Sequence, residues 1–244
     1  MAFHFFKRTG DHGTLVEVCW KSEGNKQGSS YETILKADEN GELRLTAYTS
    51  EFYYEPYSVN VYRADDDALE QLSSIIDRYN ITAWSKLPMD RENVQLDGLS
   101  TSVAMIFEKE KNGSNKREYA TVYYESKLPD GALDALKEVT DCMEQWAVPE
   151  RLLDAHYETR RGGEINGALP DDEHVKDAFA RLLKERAFGS QIDSGVSFAY
   201  QGEEVIEDNS CHVFSLENGE AWAIGTENDA VYRRASGESV WQSV

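Results

Sequence analysis

Residues 57–80 read YSVNVYRADDDALEQLSSIIDRYN, and a change of period inside them decides the fold class. Over residues 57–62 apolar and polar side chains alternate, which is the period-2 signature of a half-buried strand. Asp65, Asp66 and Asp67 follow, three acids placed where the first turn of a helix meets the positive end of its dipole. Leu69, Leu72, Ile76 and Tyr79 then recur three and four residues apart, so a helix presents one apolar stripe and ends near Asn80.

Outward from this stretch the same order of elements returns. Residues 43–49 are a strand in front of it, and residues 102–108 and 117–124 are two strands joined through Asn112-Gly113. Pro129-Asp-Gly131 then opens a second helix whose stripe is Leu133, Leu136, Val139 or Thr140, Met143 and Trp146. Residues 43–80 and 102–147 therefore both read strand, strand, helix. Two such ββα runs can lay both helices on one face of an antiparallel sheet, giving a two-layer α+β domain. Residues 14–20 and 31–37 add two strands upstream, the second closed by the tight turn Asp38-Glu-Asn-Gly41.

The pattern changes after residue 150. Arg160-Arg-Gly-Gly163, Gly167 and Pro170 interrupt any regular period, so residues 1–150 read as the α+β domain and 151–172 as a linker. Within the linker Leu152, Leu153 and His156 are spaced to prolong the second helix or to form a short one. Residues 173–244 read as a small α+β module. Its helix carries Val175, Phe179, Leu182 and Leu183 on one face, and short strands at 196–200, 204–206, 211–216, 221–225, 230–234 and 240–242 form a four- or five-stranded antiparallel sheet.

Composition excludes several classes. The chain carries 45 acidic against 25 basic side chains, a net charge of -20, with 40% hydrophobic and 11% aromatic residues. The aromatic content belongs to a folded globule, and the charge argues against nucleic acid and against an anionic membrane surface, both of which require a basic face. No apolar run approaches the ~18 residues of a membrane span. Cys19, Cys142 and Cys211 form no disulfide framework and suit a reducing compartment, and the short apolar run before Lys7-Arg8 lacks the core of a signal peptide. The expectation is a cytoplasmic, bacterial-type protein.

Two stretches carry a resemblance. Leu69-Glu-Gln-Leu72, Ile75-Ile-Asp-Arg-Tyr79, Ile81-Thr-Ala-Trp84 and Leu96-Asp-Gly-Leu-Ser100 before a strand resemble a module of uncharacterised bacterial proteins, especially of gut Gram-positive organisms. That pattern closes with a glycine-rich turn before the proline of its last helix, where this chain has Tyr124-Glu-Ser-Lys-Leu-Pro129. Tyr200-Gln-Gly-Glu203, Trp222-Ala-Ile-Gly225 and Val231-Tyr232 are similar to small α+β modules appended to bacterial envelope proteins. Neither resemblance brings an activity.

Motifs for chemistry are sparse. The histidines His4, His12, His156, His174 and His212 show no i, i+4 pair and no Cys-x-x-Cys partner, so no zinc site is expected. Cys211 and His212 are neighbours on a strand and point to opposite faces, which reads as a buried thiol and a surface imidazole. Glu203, Glu204, Glu207 and Asp208, with Glu227 and Asp229, are the best carboxylate cluster, and they read as a solvated face. Gly98-Leu-Ser-Thr-Ser102 lacks the second glycine of a nucleophile elbow, and no phosphate loop occurs. No catalytic residue, metal or cofactor is expected.

What rises above this background is aromatic. Tyr53, Tyr54, Tyr57, Tyr123 and Tyr124 fall on strands or loops of one domain, and alternation sends Tyr53 or Tyr54, and one of Tyr123 and Tyr124, to solvent. Exposed tyrosines beside acids suit recognition of a basic protein or peptide, because the ring gives rigid contact area and the hydroxyl a hydrogen bond. The expected function is a non-catalytic binding or protein-interaction module with an acidic surface. Residues 189–244 hold ten acids against two arginines, which makes the C-terminal sheet the first place to look for the partner. The alternative is a small-molecule or carbohydrate-binding protein or enzyme with a site between the two domains, where Arg160 and Arg161 supply an anion contact.

Overall fold

The structure, a computed structural model, describes residues 12–24, 28–90, 100–111 and 114–244. The turn read at Asn112-Gly113, the Leu96-Asp-Gly-Leu stretch, His4 and the N-terminal apolar run lie outside these residues. The chain is α+β and forms two compact units: residues 1–49 with 59–155, and residues 50–58 with 156–244.

The first unit is built on a seven-stranded antiparallel sheet. Its strands are β1 (Thr14–Glu23), β2 (Ser30–Ala37), β3 (Leu43–Ser50), β4 (Tyr57–Arg63), β5 (Ser100–Lys111), β6 (Ser114–Tyr123) and β7 (Leu152–Glu158). They lie in the order β6-β5-β1-β2-β3-β4-β7. Helices α1 (Ala68–Tyr79) and α2 (Ala132–Glu144) pack on one face, as the repeated strand-strand-helix order requires. Beneath them Val18, Leu35, Leu45, Val103, Met105 and Val122 are sealed against Leu72, Ile76, Leu136, Val139 and Met143. A bulge between Leu15 and Glu17 inserts one residue into β1, and it lets Leu15 and Val18, three apart, both reach this core. Asn80 ends α1 in the left-handed conformation, at φ 54°, with its N–H bonded to the Asp77 and Ile76 carbonyls.

Two residues of the expected stripes are not in the core. Tyr79 and Leu133 are exposed, because the buried faces run through Ala68, Leu72, Ile75 and Ile76 on α1 and through Ala132, Ala135, Leu136, Val139 and Met143 on α2. Tyr79 instead donates to Glu138 Oε2 at 2.8 Å, and Arg78 pairs with Oε1 of the same carboxylate at 2.8 Å. Residues 152–158 also differ from expectation: they are β7, the edge partner of β4, and not a continuation of α2.

The second unit has two helices, α3 (Glu173–Leu183) and α4 (Arg186–Asp193), and five antiparallel strands. These are β8 (Phe198–Ile206), β9 (Asn209–Leu216), β10 (Ala221–Gly225), β11 (Val231–Arg234) and β12 (Gln242–Ser243), in the order β12-β11-β10-β9-β8. The two strand segments read at 196–206 are one strand with an irregularity between Tyr200 and Gly202. The expected stripe Val175, Phe179, Leu182 and Leu183 is buried, and Phe188 and Ile192 of α4 complete its core with Phe198, Phe214 and Trp222. Helix α4 approaches so closely that a Cβ on Gly189 would lie 2.3 Å from the Leu183 carbonyl oxygen. Gly189→Ala is therefore expected to cost unit 2 about 1–3 kcal/mol in urea unfolding, as overpacking does elsewhere.

The other face of this sheet is covered too. Ile206, Cys211, Val213, Ala223 and Tyr232 form a second cluster with Trp241 packed against it. Both faces of β9 are therefore sealed, and His212 is buried with Cys211 and not a surface imidazole. The Tyr200 hydroxyl and His212 Nδ1 lie at 3.0 Å and share a hydrogen bond.

Candidate functional site

Segment 50–58 gathers Tyr53, Tyr54, Tyr57 and Arg160 within unit 2. Phe52 stacks on Tyr54 at 5.1 Å between ring centroids, and Tyr53 meets Tyr54 edge-on at 5.3 Å. The Tyr54 hydroxyl donates to the Lys184 carbonyl at 2.7 Å, and Lys184 pairs with Glu51 at 3.0 Å. Arg160 Nη2 donates to Ser50 Oγ at 2.5 Å and to the Phe52 carbonyl at 2.7 Å, and its Nε donates to the Glu55 carbonyl at 3.1 Å. Its guanidinium also lies over the Tyr57 ring, 5.0 Å from the centroid. Nε and Nη2 are thus committed to the chain's own oxygens, which is not the open anion contact that the sequence points to. Arg161 is exposed.

Tyr53 and Tyr54 stand in the turn between β3 and β4, and Tyr124 one residue past the end of β6, so strand alternation does not set their exposure. Tyr53 is 54% exposed, with Arg186 over its ring at 5.7 Å, and Tyr54 is half-buried. Tyr123 is exposed and Tyr124 half-buried, and both belong to the first unit. The five tyrosines therefore form two groups, and the group at 53–57 serves to fasten its own segment.

Glu55 closes that segment from inside. Its carboxylate accepts from the Glu51 and Phe52 N–H groups, and burial pushes its pKa above the ordinary carboxylate value of 4.5, with the backbone donors pulling the other way. An acid with a raised folded-state pKa is protonated more readily when folded. Its contribution is therefore most favourable at low pH and is lost as pH rises from about 4.5 through the raised value. Glu55→Gln is expected to flatten that part of the stability-pH curve, read as the urea midpoint across pH 4 to about 7.

Several acids of the C-terminal sheet are bonded within unit 2, while Glu207, Asp208 and Glu227 stand exposed. Asp229 pairs with Arg181 at 3.0 Å, Glu220 holds Arg233 and accepts from Trp222 Nε1, and Glu204 accepts from Trp241 Nε1 at 3.1 Å. Among the described residues no three His, Cys, Asp or Glu side chains converge as metal ligands, and no helix is long and apolar enough to cross a membrane.

A different concavity has unspent charge. In the first unit a groove of about 440 Å³ runs along α1, with Leu15, Leu43, Leu69 and Phe107 as apolar lining. Asp66, Glu70, Asp77, Ser73 and His12 also line it. Glu70 and Asp77 fall seven residues apart on one flank of α1 and Asp66 lies just ahead of its first turn, and all three line the groove. All three are exposed, and none pairs with a cation among the described residues. The i, i+4, i+11 spacing of Asp66, Glu70 and Asp77 was present in the sequence. It gains meaning only once Leu15, Leu43 and Phe107 arrive from three strands to floor the groove.

Compared with known proteins, the chain matches no family model, no curated protein and no solved structure. The fold and the groove are therefore read from its own residues alone.

Proposed function

We propose that this chain is a non-catalytic binding protein that takes a basic segment of a protein partner into the groove along α1. The observation carrying this reading is the groove's composition: three unpaired carboxylates above an apolar floor, in a chain of net charge -20. Lysine and arginine side chains meet both demands at once, since their alkyl stems cover apolar surface while their heads reach carboxylates. The volume lies within the 300–1,000 Å³ range of sites that hold a ligand. The excess negative charge steers such a partner inward and raises the rate of encounter.

The test uses a fluorescent peptide of alternating lysine and leucine, titrated with the full chain at about 0.05 M and about 0.5 M salt. Binding is expected to weaken at least tenfold at the higher salt, and Asp66→Asn/Glu70→Gln/Asp77→Asn to remove about as much at low salt while the unfolding midpoint stays put. An affinity indifferent both to salt and to the triple substitution would sink the reading.

A further inference from the structure

The helices cover only one face of the seven-stranded sheet, and the strand registers fix what stands on the other. Thr121, Ala104, Cys19 and Ile34 form one row across β6, β5, β1 and β2. The row on one side is Tyr119, Ile106, Glu17 and Lys36, and the row on the other is Tyr123, Ser102, Lys21 and Glu32. None of these twelve side chains belongs to the core beneath the helices. Tyr119 is 69% exposed, Tyr123 43%, and the central row is only half-buried.

Two properties set this face apart. Across its twelve positions it is electrically balanced, two acids against two lysines, with Glu23 beyond them on β1 held by Lys21 at 2.8 Å, on a chain whose total is 45 acids against 25 bases. Its charges also alternate in both directions: β1 carries Glu17 then Lys21, and β2 carries Lys36 then Glu32 beside them. A two-by-two pattern of alternating sign is its own complement. Turned over on a two-fold axis lying in the face across the strands, along the central row, it sets Glu17 against Lys21 and Lys36 against Glu32 of the other copy. The same operation closes the uncharged row on itself and sets Tyr119 against Tyr123 of the other copy.

We propose that this face is where two copies of the chain associate, sheet on sheet, in a symmetric dimer. An isologous interface requires self-complementarity, and the alternating quartet supplies it. A second copy meets net repulsion from a chain of charge -20, and the balanced face is where approach costs least. Four strands about 4.8 Å apart and about ten residues long span roughly 600 Å² of plane, which with side-chain relief approaches the ~800 Å² per partner of a standard interface. Aligned packing of two sheets tolerates the required geometry, with mean strand directions within about 30°. The residues differ from those of the groove, so this inference stands or falls separately from the binding function.

Sedimentation equilibrium of the full chain from about 1 to about 200 µM tests it, covering micromolar to submillimolar dissociation constants. The wild type is expected to dimerise. Lys21→Glu/Lys36→Glu and Glu17→Lys/Glu32→Lys are each expected to weaken self-association at least tenfold, and an equimolar mixture of the two to restore a heterodimer. Tyr119→Arg, at a site too exposed to unfold the sheet, is expected to weaken the dimer by steric and electrostatic intrusion and serves if either double variant fails to fold. A wild type that stays monomeric throughout overturns the proposal. So does a dimer that none of the folded variants disturbs, or a mixture of the two folded charge variants that associates no better than either alone.

Discussion

Arg160→Ala is expected to destabilise unit 2 by roughly 3 kcal/mol in chemical denaturation, on the strength of three charge-assisted hydrogen bonds of about 1.5–3 kcal/mol each in a part-exposed setting. The loss has two parts. Nη2 and Nε no longer reach Ser50 Oγ and the Phe52 and Glu55 carbonyls, of which the Phe52 carbonyl keeps Ser50 Oγ and the Glu55 N–H as donors. The guanidinium plane also leaves the Tyr57 ring. Arg160→Lys keeps the charge but has no planar fork to divide between two carbonyls and a hydroxyl, so it is expected to recover less than half of the loss. A destabilisation below about 1 kcal/mol for the alanine variant would show that segment 50–58 is held by its other contacts, the Tyr54 hydroxyl, the Glu51–Lys184 pair and the stacked rings.

Phe179→Ala is expected to cost more, about 3–5 kcal/mol, because the side chain is fully buried at the centre of the unit 2 core. Its ring meets Tyr157, Phe188, Phe198 and Phe214 at centroid separations of 5.7, 5.8, 4.6 and 5.4 Å. Deleting it leaves a cavity walled by four rigid rings, and rings collapse into a void less readily than aliphatic chains. For a unit of this size the midpoint of thermal unfolding should fall by roughly 15 °C or more. Phe179→Leu, which keeps most of the volume, should lose about 1–2 kcal/mol. Equal losses for the two variants would mean that the site relaxes, contrary to the packing described.

The elements that were legible in the sequence are those whose periodicity is local. β1 to β6, α1, α2 and α3 each carry a full period-2 or period-3.6 pattern, and Asn80 and Gly131 punctuate two of the helices. Residues 152–158 were not legible, because Leu152, Leu153 and His156 fit a helix equally well; only β4, some 90 residues earlier in the chain, makes them a strand. Helix α4 is short, with Phe188 and Ile192 as its only large apolar side chains and Gly189 between them, too sparse a pattern to rise above a loop. His212 reads as a surface residue by alternation, and it is buried because both faces of β9 are covered.

The site was less legible than the fold. Tyrosine content drew attention to residues 53–57, yet those rings face oxygens and cations of their own unit. The carboxylates that remain unspent, Asp66, Glu70 and Asp77, looked in the sequence like ordinary helix-start acids and solvated positions. Charge density alone pointed to the C-terminal sheet, where Glu204, Glu220 and Asp229 are already bonded within unit 2.

The placing of Ser50–Ser58 in the unit that otherwise begins at His156 has a consequence for the timing of synthesis. Glu55 and Arg160 are 105 residues apart, and a ribosome adding 5–20 residues per second produces the arginine roughly 5–20 seconds after the carbonyl it is to bind. During that interval β3 and β4 emerge with the intervening segment unfastened, its Tyr53 and Tyr54 rings open to solvent. A nascent chain halted before residue 160 should therefore be cut by protease between residues 50 and 58, and the released full-length chain should resist. The same arithmetic governs dissection of the gene: a fragment starting at His156 carries Arg160 without Ser50, Phe52 and Glu55, and it should recover its stability when a synthetic peptide of residues 50–58 is supplied in trans.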